Sequence, residues 1–381
     1  MTSLDDLPIR DDLRGRTPYG APQKTVPVAL NVNENTHPIP EDVAHDIVAR
    51  VAAAILSLNR YPDREFTALR RALADYLGHG LDVDRIWAAN GSNEVLQHIL
   101  QAFGGPGRSV LGFAPTYSMY GLLASGTGTR WITAGRDDDF ELSPGTAVAA
   151  IREHDPDVVL LCAPNNPTGT PLSLDTITAV ADAARGIVVV DEAYIEFADP
   201  GTPSALTLLE GRPRLLVSRT MSKAFAFAGA RVGYLAADPA VVDALRLVRL
   251  PYHLSALTQA AALGALAHSD EMLAMVDEIR GQRERIAREL EHLGFRPYRS
   301  GANFVLFGGV DDPHAVFEAL LDRGILIREI GLPGCLRVTA GTEAETTAFL
   351  EAIANFAPST RASAAATPAA STATTPASTP E

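Results

Sequence analysis

Lysine is nearly absent from this chain of 381 residues. The sequence contains thirty arginines but only two lysines, Lys24 and Lys223. Arginine stays protonated and is a poor nucleophile, so it cannot replace lysine in chemistry that needs a primary amine. Lys24 lies between Pro22 and Pro27, in a segment that we expect to be exposed to solvent. Lys223 is therefore the candidate for any such chemistry.

Cysteine is equally scarce, with only Cys162 and Cys335. Two cysteines are too few for a disulfide framework, and this favours a reducing compartment. The N-terminal segment is acidic and lacks the basic and apolar regions of a signal peptide. No apolar run is long enough to span a bilayer. Together these absences favour the cytoplasm.

Positive charge is in deficit, because the formal net charge is −14. This argues against a nucleic-acid partner or an anionic membrane surface, since both need clustered basic residues. No G-x-G-x-x-G follows a strand, and neither lysine lies in a P-loop pattern, so a nucleotide-binding dehydrogenase or kinase is poorly supported. What the chain does have is 46% hydrophobic residues, enough to bury a sizeable core. Its length of 381 residues suits two domains or one large α/β unit with an added lobe.

Short apolar runs alternate with helical patterns through the first two thirds of the chain. Helices are predicted between several of these runs, for example over Asn93–Phe103 and Leu174–Ala184. This alternation is typical of a largely parallel sheet that is covered by helices on both faces. The predicted strands are Arg85–Ala89, Val110–Phe113, Val158–Cys162, Ile187–Val190, Leu215–Val217 and Val232–Ala236.

The last third of the chain predicts a separate α+β lobe. Its predicted elements are a long helix over Glu271–Leu293, a strand over Asn303–Phe307, a helix over His314–Asp322, strands over Ile325–Arg328 and Leu336–Thr339, and a last helix to Phe356. We therefore expect an arm at 1–40, a large domain at 41–255 and a small domain at 256–356. Residues 357–381 are almost entirely Ala, Ser, Thr and Pro, which predicts a disordered tail.

Polar loops follow three of the predicted strands, at the edge where an α/β sheet binds ligands. The loop at 90–94 opens a helix whose free backbone N–H groups suit a phosphate, although for this loop alone a simple helix cap by Ser92 is the favoured interpretation. The loop at 163–169 is by itself an ordinary Pro/Gly turn. Asp191 ends a buried strand, where it either faces a cation in a cleft or caps a helix.

Lys223 follows the next predicted strand and lies among small and apolar residues. Such surroundings remove hydration from the amine, which lowers its pKa and makes the neutral, nucleophilic form accessible. The alternative is an exposed lysine at the start of a helix. That alternative loses weight in a chain with so few lysines.

These motifs together resemble the fold type I aminotransferases that depend on pyridoxal phosphate. The resemblance spans about residues 15–356. It implies a large domain with a mostly parallel seven-stranded sheet, a smaller α+β domain, and a homodimer with shared active sites. The motifs that carry it are Asn166-Pro167-Thr168-Gly169, Asp191-Glu192-Ala193-Tyr194, and Ser222-Lys223 with Arg231.

Within this family, further segments are similar to the histidinol-phosphate aminotransferase branch, among them Tyr61-Pro62-Asp63, Leu250–Ser255 and Cys335–Thr339. That similarity implies transamination between L-histidinol phosphate and 2-oxoglutarate, in histidine biosynthesis. The alternatives are an aromatic amino-acid aminotransferase of the same fold and, more remotely, a threonine-phosphate decarboxylase. A transcription regulator built on such a domain would need an N-terminal DNA-binding module, and the acidic segment before residue 41 does not supply one.

The resemblance also assigns roles to individual residues. It implies that Lys223 forms the Schiff base with the cofactor and moves the proton, and that Asp191 pairs with the pyridinium nitrogen. Asn166 and Tyr194 bond the phenolic oxygen, and Tyr117 stacks on the ring. The implied phosphate contacts are Ser92, Asn93, Thr220, Ser222, Arg231 and, from a second subunit, Tyr61. The implied substrate contacts are Arg337, Arg328, Tyr19 and Asn33, and no metal is implied.

Overall fold

The computed structural model of the chain describes residues 3–15 and 20–358. Two predictions fall outside the described residues. One is the substrate contact by Tyr19, and the other is the disorder of the tail from residue 359 onward.

The strands of the described chain, in order, are β1 (Val28–Ala29), β2 (Ile86–Ala89), β3 (Ser109–Ala114), β4 (Arg130–Gly135), β5 (Val158–Cys162), β6 (Ile187–Asp191), β7 (Leu215–Thr220), β8 (Gly233–Ala236), β9 (Arg296–Pro297), β10 (Phe304–Gly308), β11 (Ile325–Leu326), β12 (Arg328–Glu329) and β13 (Leu336–Thr339). Seven of them form the larger sheet, in the order β2-β8-β7-β6-β5-β3-β4. Strand β8 runs antiparallel to both of its neighbours, β2 and β7, and the other pairs in this sheet are parallel.

The centre of the larger sheet is apolar on both faces. Every residue of β5 and β6 is buried. A parallel sheet with helices on both faces produces such continuous apolar strands, because neither face meets water. The predicted α/β architecture with a mostly parallel seven-stranded sheet is thereby confirmed.

The helices connect these strands and continue into the last third of the chain. At the start of several helices, a serine or aspartate side chain accepts a hydrogen bond from a backbone N–H of the first turn, for example Ser173 before Leu174–Ala183 and Asp238 before Pro239–Val248. The helices are α1 (Glu41–Ile55), α2 (Thr67–Leu77), α3 (Ser92–Phe103), α4 (Met119–Gly126), α5 (Pro144–His154), α6 (Leu174–Ala183), α7 (Pro239–Val248), α8 (Ala256–Ala267), α9 (Ser269–Leu273), α10 (Met275–His292), α11 (Pro313–Asp322) and α12 (Glu343–Ile353).

The single helix predicted over Glu271–Leu293 is wrong. The structure has two helices there, α9 and α10, which are separated at Ala274. Ala274 keeps a helical backbone conformation, with φ −57° and ψ −29°, so the interruption is slight. Neither glycine nor proline marks this place in the sequence, and the pattern of apolar residues continues through it.

The smaller sheet is antiparallel, in the order β12-β13-β10-β9. The single strand predicted over Ile325–Arg328 is wrong, because the chain changes sheets at Ile327. Before it, β11 pairs in parallel with β1 of the N-terminal arm. After it, β12 pairs with β13. The arm is thus attached to the smaller lobe by a short two-stranded sheet.

The limits of the domains remain a prediction. Helix α8 packs against α1 and α2, which belong to the larger lobe. We therefore propose that the boundary lies after α8 and not at residue 255. Within the described part of the chain, no helix has both the length and the apolar composition that crossing a membrane requires.

Candidate active site

A cavity of about 440 Å³ lies where the loops after the parallel strands meet the arm and the smaller sheet. Its volume lies within the range of small-molecule and cofactor sites. Thirteen of the fifteen residues that the sequence assigned to a site line this cavity: Asn33, Ser92, Asn93, Tyr117, Asn166, Asp191, Tyr194, Thr220, Ser222, Lys223, Arg231, Arg328 and Arg337.

Lys223 lies in the turn after β7, and its amine reaches the middle of the cavity wall. Its Nζ donates a hydrogen bond of 2.9 Å to the carbonyl oxygen of Val32. Burial lowers the pKa of this amine to about 8, and the nearby Arg337 guanidinium acts in the same direction. A larger fraction of this amine is therefore neutral near pH 7 than for an ordinary lysine, and the neutral form is the nucleophile.

Asp191 is the last residue of β6 and is almost completely buried. Its Oδ2 accepts a hydrogen bond of 2.9 Å from the Tyr120 hydroxyl, and its Oδ1 accepts one of 3.2 Å from Ser218. Burial raises the pKa of this carboxyl to about 6, and the two hydroxyls act in the opposite direction. The site thus keeps a carboxylate that is costly to ionise unless a cation binds beside it.

The Tyr194 hydroxyl is held between the arm and the loop after β5. It accepts hydrogen bonds from the side-chain amides of Asn33, at 3.0 Å, and Asn166, at 3.2 Å. Burial raises the pKa of Tyr194, so this hydroxyl stays protonated and can donate its hydrogen into the cavity. Asn33 is itself fixed by Thr339 of β13, whose Oγ1 accepts from the Asn33 backbone N–H at 3.1 Å.

The first turn of α3 and the segment between β7 and β8 form a pocket for an anion. Helix α3 begins at Ser92, after Gly91 with a φ of +84°, and Ser92 provides no side-chain cap. A Cβ at Gly91 would collide with the Arg231 guanidinium, so glycine is what allows this arginine to lie over the helix start. Nη1 of Arg231 donates to Ser222 Oγ at 3.3 Å. A helix N-terminus beside a guanidinium suits a phosphate group.

Other polar groups complete this pocket. The Ser222 backbone N–H donates to Thr220 Oγ1 at 3.1 Å, which fixes the turn before Lys223. The Tyr117 hydroxyl donates to Asn93 Oδ1 at 3.2 Å, so the tyrosine ring is tethered to the start of α3.

Two arginines of the smaller sheet face the same cavity. Arg328 of β12 and Arg337 of β13 are direct partners in the antiparallel ladder, so their side chains leave the sheet on the same face. Like charges at directly opposite positions destabilise a sheet. An anion bound between them would remove that repulsion. Arg337 also donates to Asn166 Oδ1 at 2.6 Å and to the Asn31 carbonyl at 2.8 Å.

Tyr61 does not line the cavity of its own chain. It is 81% exposed, and its ring stacks on that of Tyr252 at a centroid distance of 4.5 Å. Its assignment to the site of a second subunit therefore stays a prediction. The other assigned residue that is not part of this cavity lining is Tyr19, which lies outside the described residues.

The sequence did not single out Tyr120, Ser218 or the Val32 carbonyl. Ser218 could have been found from strand pairing, because it is the register partner of Asp191 in the sheet. Tyr120 lies three residues after Tyr117, a spacing that places both side chains on one side of a helical turn. The hydrogen bond from Lys223 to the Val32 carbonyl depends on how the arm folds back over the site, and no local sequence pattern predicts it.

The donors of this cavity fit pyridoxal phosphate, the cofactor that the resemblance implies. The anion pocket can take a phosphate, Asp191 can pair with a ring N–H, and Lys223 supplies the amine that an aldehyde needs. Two hydrogen-bonding groups, Tyr194 and Asn166, are placed to bond an oxygen on the ring. Among the described residues, no cluster of His, Cys, Asp or Glu could hold a metal ion.

Comparisons with known proteins agree with this geometry. Residues 25–353 match the family model for aminotransferase class I and II. The chain is 64% identical over 356 residues to a histidinol-phosphate aminotransferase of Paenarthrobacter aurescens, which covers 93% of this chain and 96% of that protein. It is 60% identical over 351 residues to the histidinol-phosphate aminotransferase of Thermobifida fusca, which covers 92% of this chain and 96% of that protein.

A solved structure is also similar. It is the histidinol-phosphate aminotransferase of Sinorhizobium meliloti in complex with pyridoxal 5′-phosphate, with a TM-score of 0.79 and 27% sequence identity. The alignment covers 87% of this chain and 91% of that one.

Proposed function

The chain belongs to the class I and II aminotransferase family, and on that premise we propose that it transfers an amino group between L-histidinol phosphate and 2-oxoglutarate. In the biosynthetic direction, imidazole acetol phosphate and glutamate react to give histidinol phosphate and 2-oxoglutarate. The observation that carries this proposal is the pair of register partners Arg328 and Arg337, which open into the same cavity as the Lys223 amine. The names of the relatives at 60–64% identity support it.

We propose pyridoxal phosphate as the cofactor, which the solved relative contains. When bound, it supplies a protonated ring that withdraws electrons from the substrate Cα as the Cα proton leaves. Lys223 takes up that proton on Nζ, and its lowered pKa leaves the nitrogen lone pair accessible for this step. Asp191 would pair with the ring N–H and favour its charged form. Tyr194 and Asn166 would orient the ring by bonding its phenolic oxygen.

The remaining assigned residues bind and orient. Tyr117 would cover one face of the ring, and Arg231, Ser222 and the start of α3 would hold the cofactor phosphate. The further contacts that we propose for this phosphate are Asn93 and Thr220. On the substrate side, Asn33 holds the Tyr194 hydroxyl in place, at 3.0 Å.

The arginine pair suits a phosphorylated substrate better than a carboxylate. A phosphate carries up to two charges and three acceptor oxygens, so two guanidinium groups can each form charge-assisted bonds with it. A carboxylate has one charge and two oxygens, and it leaves one arginine partly unmatched. The geometry therefore favours histidinol phosphate over an aromatic amino acid.

A substrate panel tests this proposal directly. Purified holoenzyme is given histidinol phosphate, histidinol and phenylalanine in turn, with 2-oxoglutarate as acceptor, and kcat/KM is measured for each. We expect histidinol phosphate to exceed histidinol by a factor on the order of 10² or more, the effect of unpairing a desolvated charge. A preference for phenylalanine would overturn the substrate assignment in favour of an aromatic aminotransferase.

We also propose that the chain forms a homodimer. Two neighbouring segments expose large apolar side chains, and the stacked Tyr61 and Tyr252 rings join them. Exposed apolar patches of this kind mark protein–protein contacts. A second copy would cover the patch and bring Tyr61 to the partner's cofactor phosphate. The patch consists of Ile55, Leu56, Leu58, Tyr61, Leu247, Leu250 and Tyr252.

A cytoplasmic location is part of the same proposal. A biosynthetic aminotransferase acts where its amino-acid substrates are made, and the scarcity of cysteine agrees with a reducing compartment.

A further inference from the structure

We propose that Tyr120 is a positioning residue for this site: it holds the Asp191 carboxylate and the Tyr117 ring together in the arrangement that grips the cofactor ring. This inference rests on the proposed cofactor site, and it does not depend on which substrate the enzyme uses.

Tyr120 lies in the first turn of α4 and has no exposed surface. Its hydroxyl donates to Asp191 Oδ2 at 2.9 Å, while Ser218 donates to Oδ1 at 3.2 Å. Each carboxylate oxygen thus receives one hydrogen bond from a protein hydroxyl. A carboxylate oxygen can accept more than one hydrogen bond, so acceptor capacity remains for a donor in the cavity.

The three groups that do most to stabilise the charged form of Asp191 are neutral. They are the Tyr120 and Ser218 hydroxyls and the Ala193 backbone N–H. A buried arginine or lysine in this position would satisfy the negative charge within the protein and compete with the cofactor. Neutral donors orient the carboxylate and leave its charge to pair with the ring N–H.

The same side chain also supports Tyr117. The two rings meet edge to face, with a centroid distance of 5.4 Å and an interplanar angle of 87°. Behind them, the Trp131 ring lies 6.4 Å from the Tyr120 ring. The Tyr117 hydroxyl is meanwhile tethered to Asn93. Tyr120 therefore fixes two contacts of one ligand, the group at the ring nitrogen and the group on the ring face.

The decisive variant is Tyr120→Phe, which keeps the ring contact with Tyr117 and removes the hydroxyl. Its affinity for the cofactor is measured by titrating the apo-enzyme with pyridoxal phosphate and following visible absorbance. A lost hydrogen bond to a charged group predicts a dissociation constant about ten- to a hundredfold higher. The titration is repeated with an analogue in which carbon replaces the ring nitrogen. With that analogue, wild type and variant should bind alike.

The pH dependence gives a second readout. Without the tyrosine donor the charged carboxylate is less stabilised, so the pKa of Asp191 should rise. The loss of pyridoxal phosphate affinity on acidification should then begin at a higher pH in Tyr120→Phe than in the wild type. An equal loss of affinity for both cofactors, or an unchanged pH profile, would show that Tyr120 is only part of the core.

Three further variants make the result unambiguous. Tyr234→Phe is the matched control, because Tyr234 is fully buried and its hydroxyl has no hydrogen-bond partner among the described residues. This variant should bind both cofactors as the wild type does.

If Tyr120→Phe does not fold, Ser218→Ala removes the other hydroxyl donor to Asp191 and should show the same selective loss of pyridoxal phosphate affinity. Asp191→Asn must also distinguish the two cofactors. If it does not, the cofactor site itself is misplaced, whereas failure of Tyr120→Phe alone refutes only the positioning role.

Discussion

The two sheets of this protein supply different kinds of groups to one cavity. The seven-stranded sheet supplies a lysine, a carboxylate and a set of hydroxyl and amide groups that are bonded to one another. The antiparallel sheet supplies two guanidinium groups side by side. We propose that the first set serves the chemistry at any bound amine and that the second set binds the anionic end of a substrate. On this proposal, turnover and substrate choice depend mainly on groups from different sheets.

The largest effect is expected at Lys223. Lys223→Ala removes both the amine that bonds the cofactor and the group that moves the proton, so kcat should fall by about four orders of magnitude or more for every substrate. Steady-state kinetics measure this loss. Lys24→Ala is the control, because Lys24 is the other lysine and is exposed. After borohydride reduction of the holoenzyme, recovery of the cofactor on Lys24 would refute the assignment.

Asp191→Asn is expected to have the next largest effect. The neutral amide cannot keep the ring nitrogen charged, so kcat should fall about 10²- to 10³-fold even at cofactor concentrations that saturate the variant. Single-turnover measurements with histidinol phosphate and with phenylalanine should show the same relative loss. Asp175→Asn, at an exposed position on α6, should change neither. Near-normal turnover of Asp191→Asn would mean that this carboxylate is only structural.

Arg328→Ala tests the other side of the comparison. Removing one partner of a desolvated charge pair should cost about 2–4 kcal/mol in kcat/KM for histidinol phosphate. For phenylalanine, which needs only Arg337, the loss should be small. Arg288→Ala, an exposed arginine on α10, serves as the control. Equal losses of kcat/KM for both substrates would contradict a separate role for the antiparallel sheet in substrate choice and would favour the aromatic aminotransferase.

Mixed dimers test whether Tyr61 acts across the interface. Subunits with Lys223→Ala are combined with subunits carrying Tyr61→Ala. Each mixed dimer then has one site with both native residues, and a random mixture should recover about a quarter of wild-type activity. Absence of recovery, once mixed dimers are shown to form by tagged purification, would remove Tyr61 from the partner's site.

The smallest effect concerns the stability of the apo-enzyme. Because burial lowers the pKa of Lys223 from 10.5 to about 8, the folded protein holds this proton less firmly than the unfolded chain does. At pH 7 the buried charge should cost about 1–3 kcal/mol of the free energy of unfolding. Lys223→Met should therefore be more stable by that amount at pH 7. The difference should shrink as the pH rises from 8 towards 10.5, and urea unfolding at several pH values measures it.

The sequence predicted the strands that are buried on both faces better than the strands at the edge. The predicted limits of β5 and β13 are those of the structure, and every residue of both strands is buried. In β5 a continuous apolar run begins after Asp157 and ends just before the Ala163-Pro164 turn. Strand β4 was missed. It is an edge strand with partly exposed residues, and its polar and small side chains interrupt the apolar run.

The site was predictable where a motif carries the chemistry and unpredictable where tertiary contacts do. The lysine, the aspartate and the Asn166 turn are contiguous motifs, and the structure brings them together in one cavity. The Tyr120–Asp191 hydrogen bond joins residues 71 positions apart. The opposition of Arg328 and Arg337 depends on the register of two strands, which the turn between them determines. Neither relation leaves a periodic trace in the sequence.

Arg337 has a further consequence for recognition. Its guanidinium already donates to the Asn166 side chain and the Asn31 carbonyl before any ligand arrives. These two bonds hold the guanidinium in one orientation, so a ligand meets a donor that is already aimed. We expect an incoming anion to compete with the two neutral acceptors, because charge-assisted hydrogen bonds are the stronger ones. A neutral hydroxyl or amide should gain little at this position, which would disfavour molecules of the right shape that lack a charge.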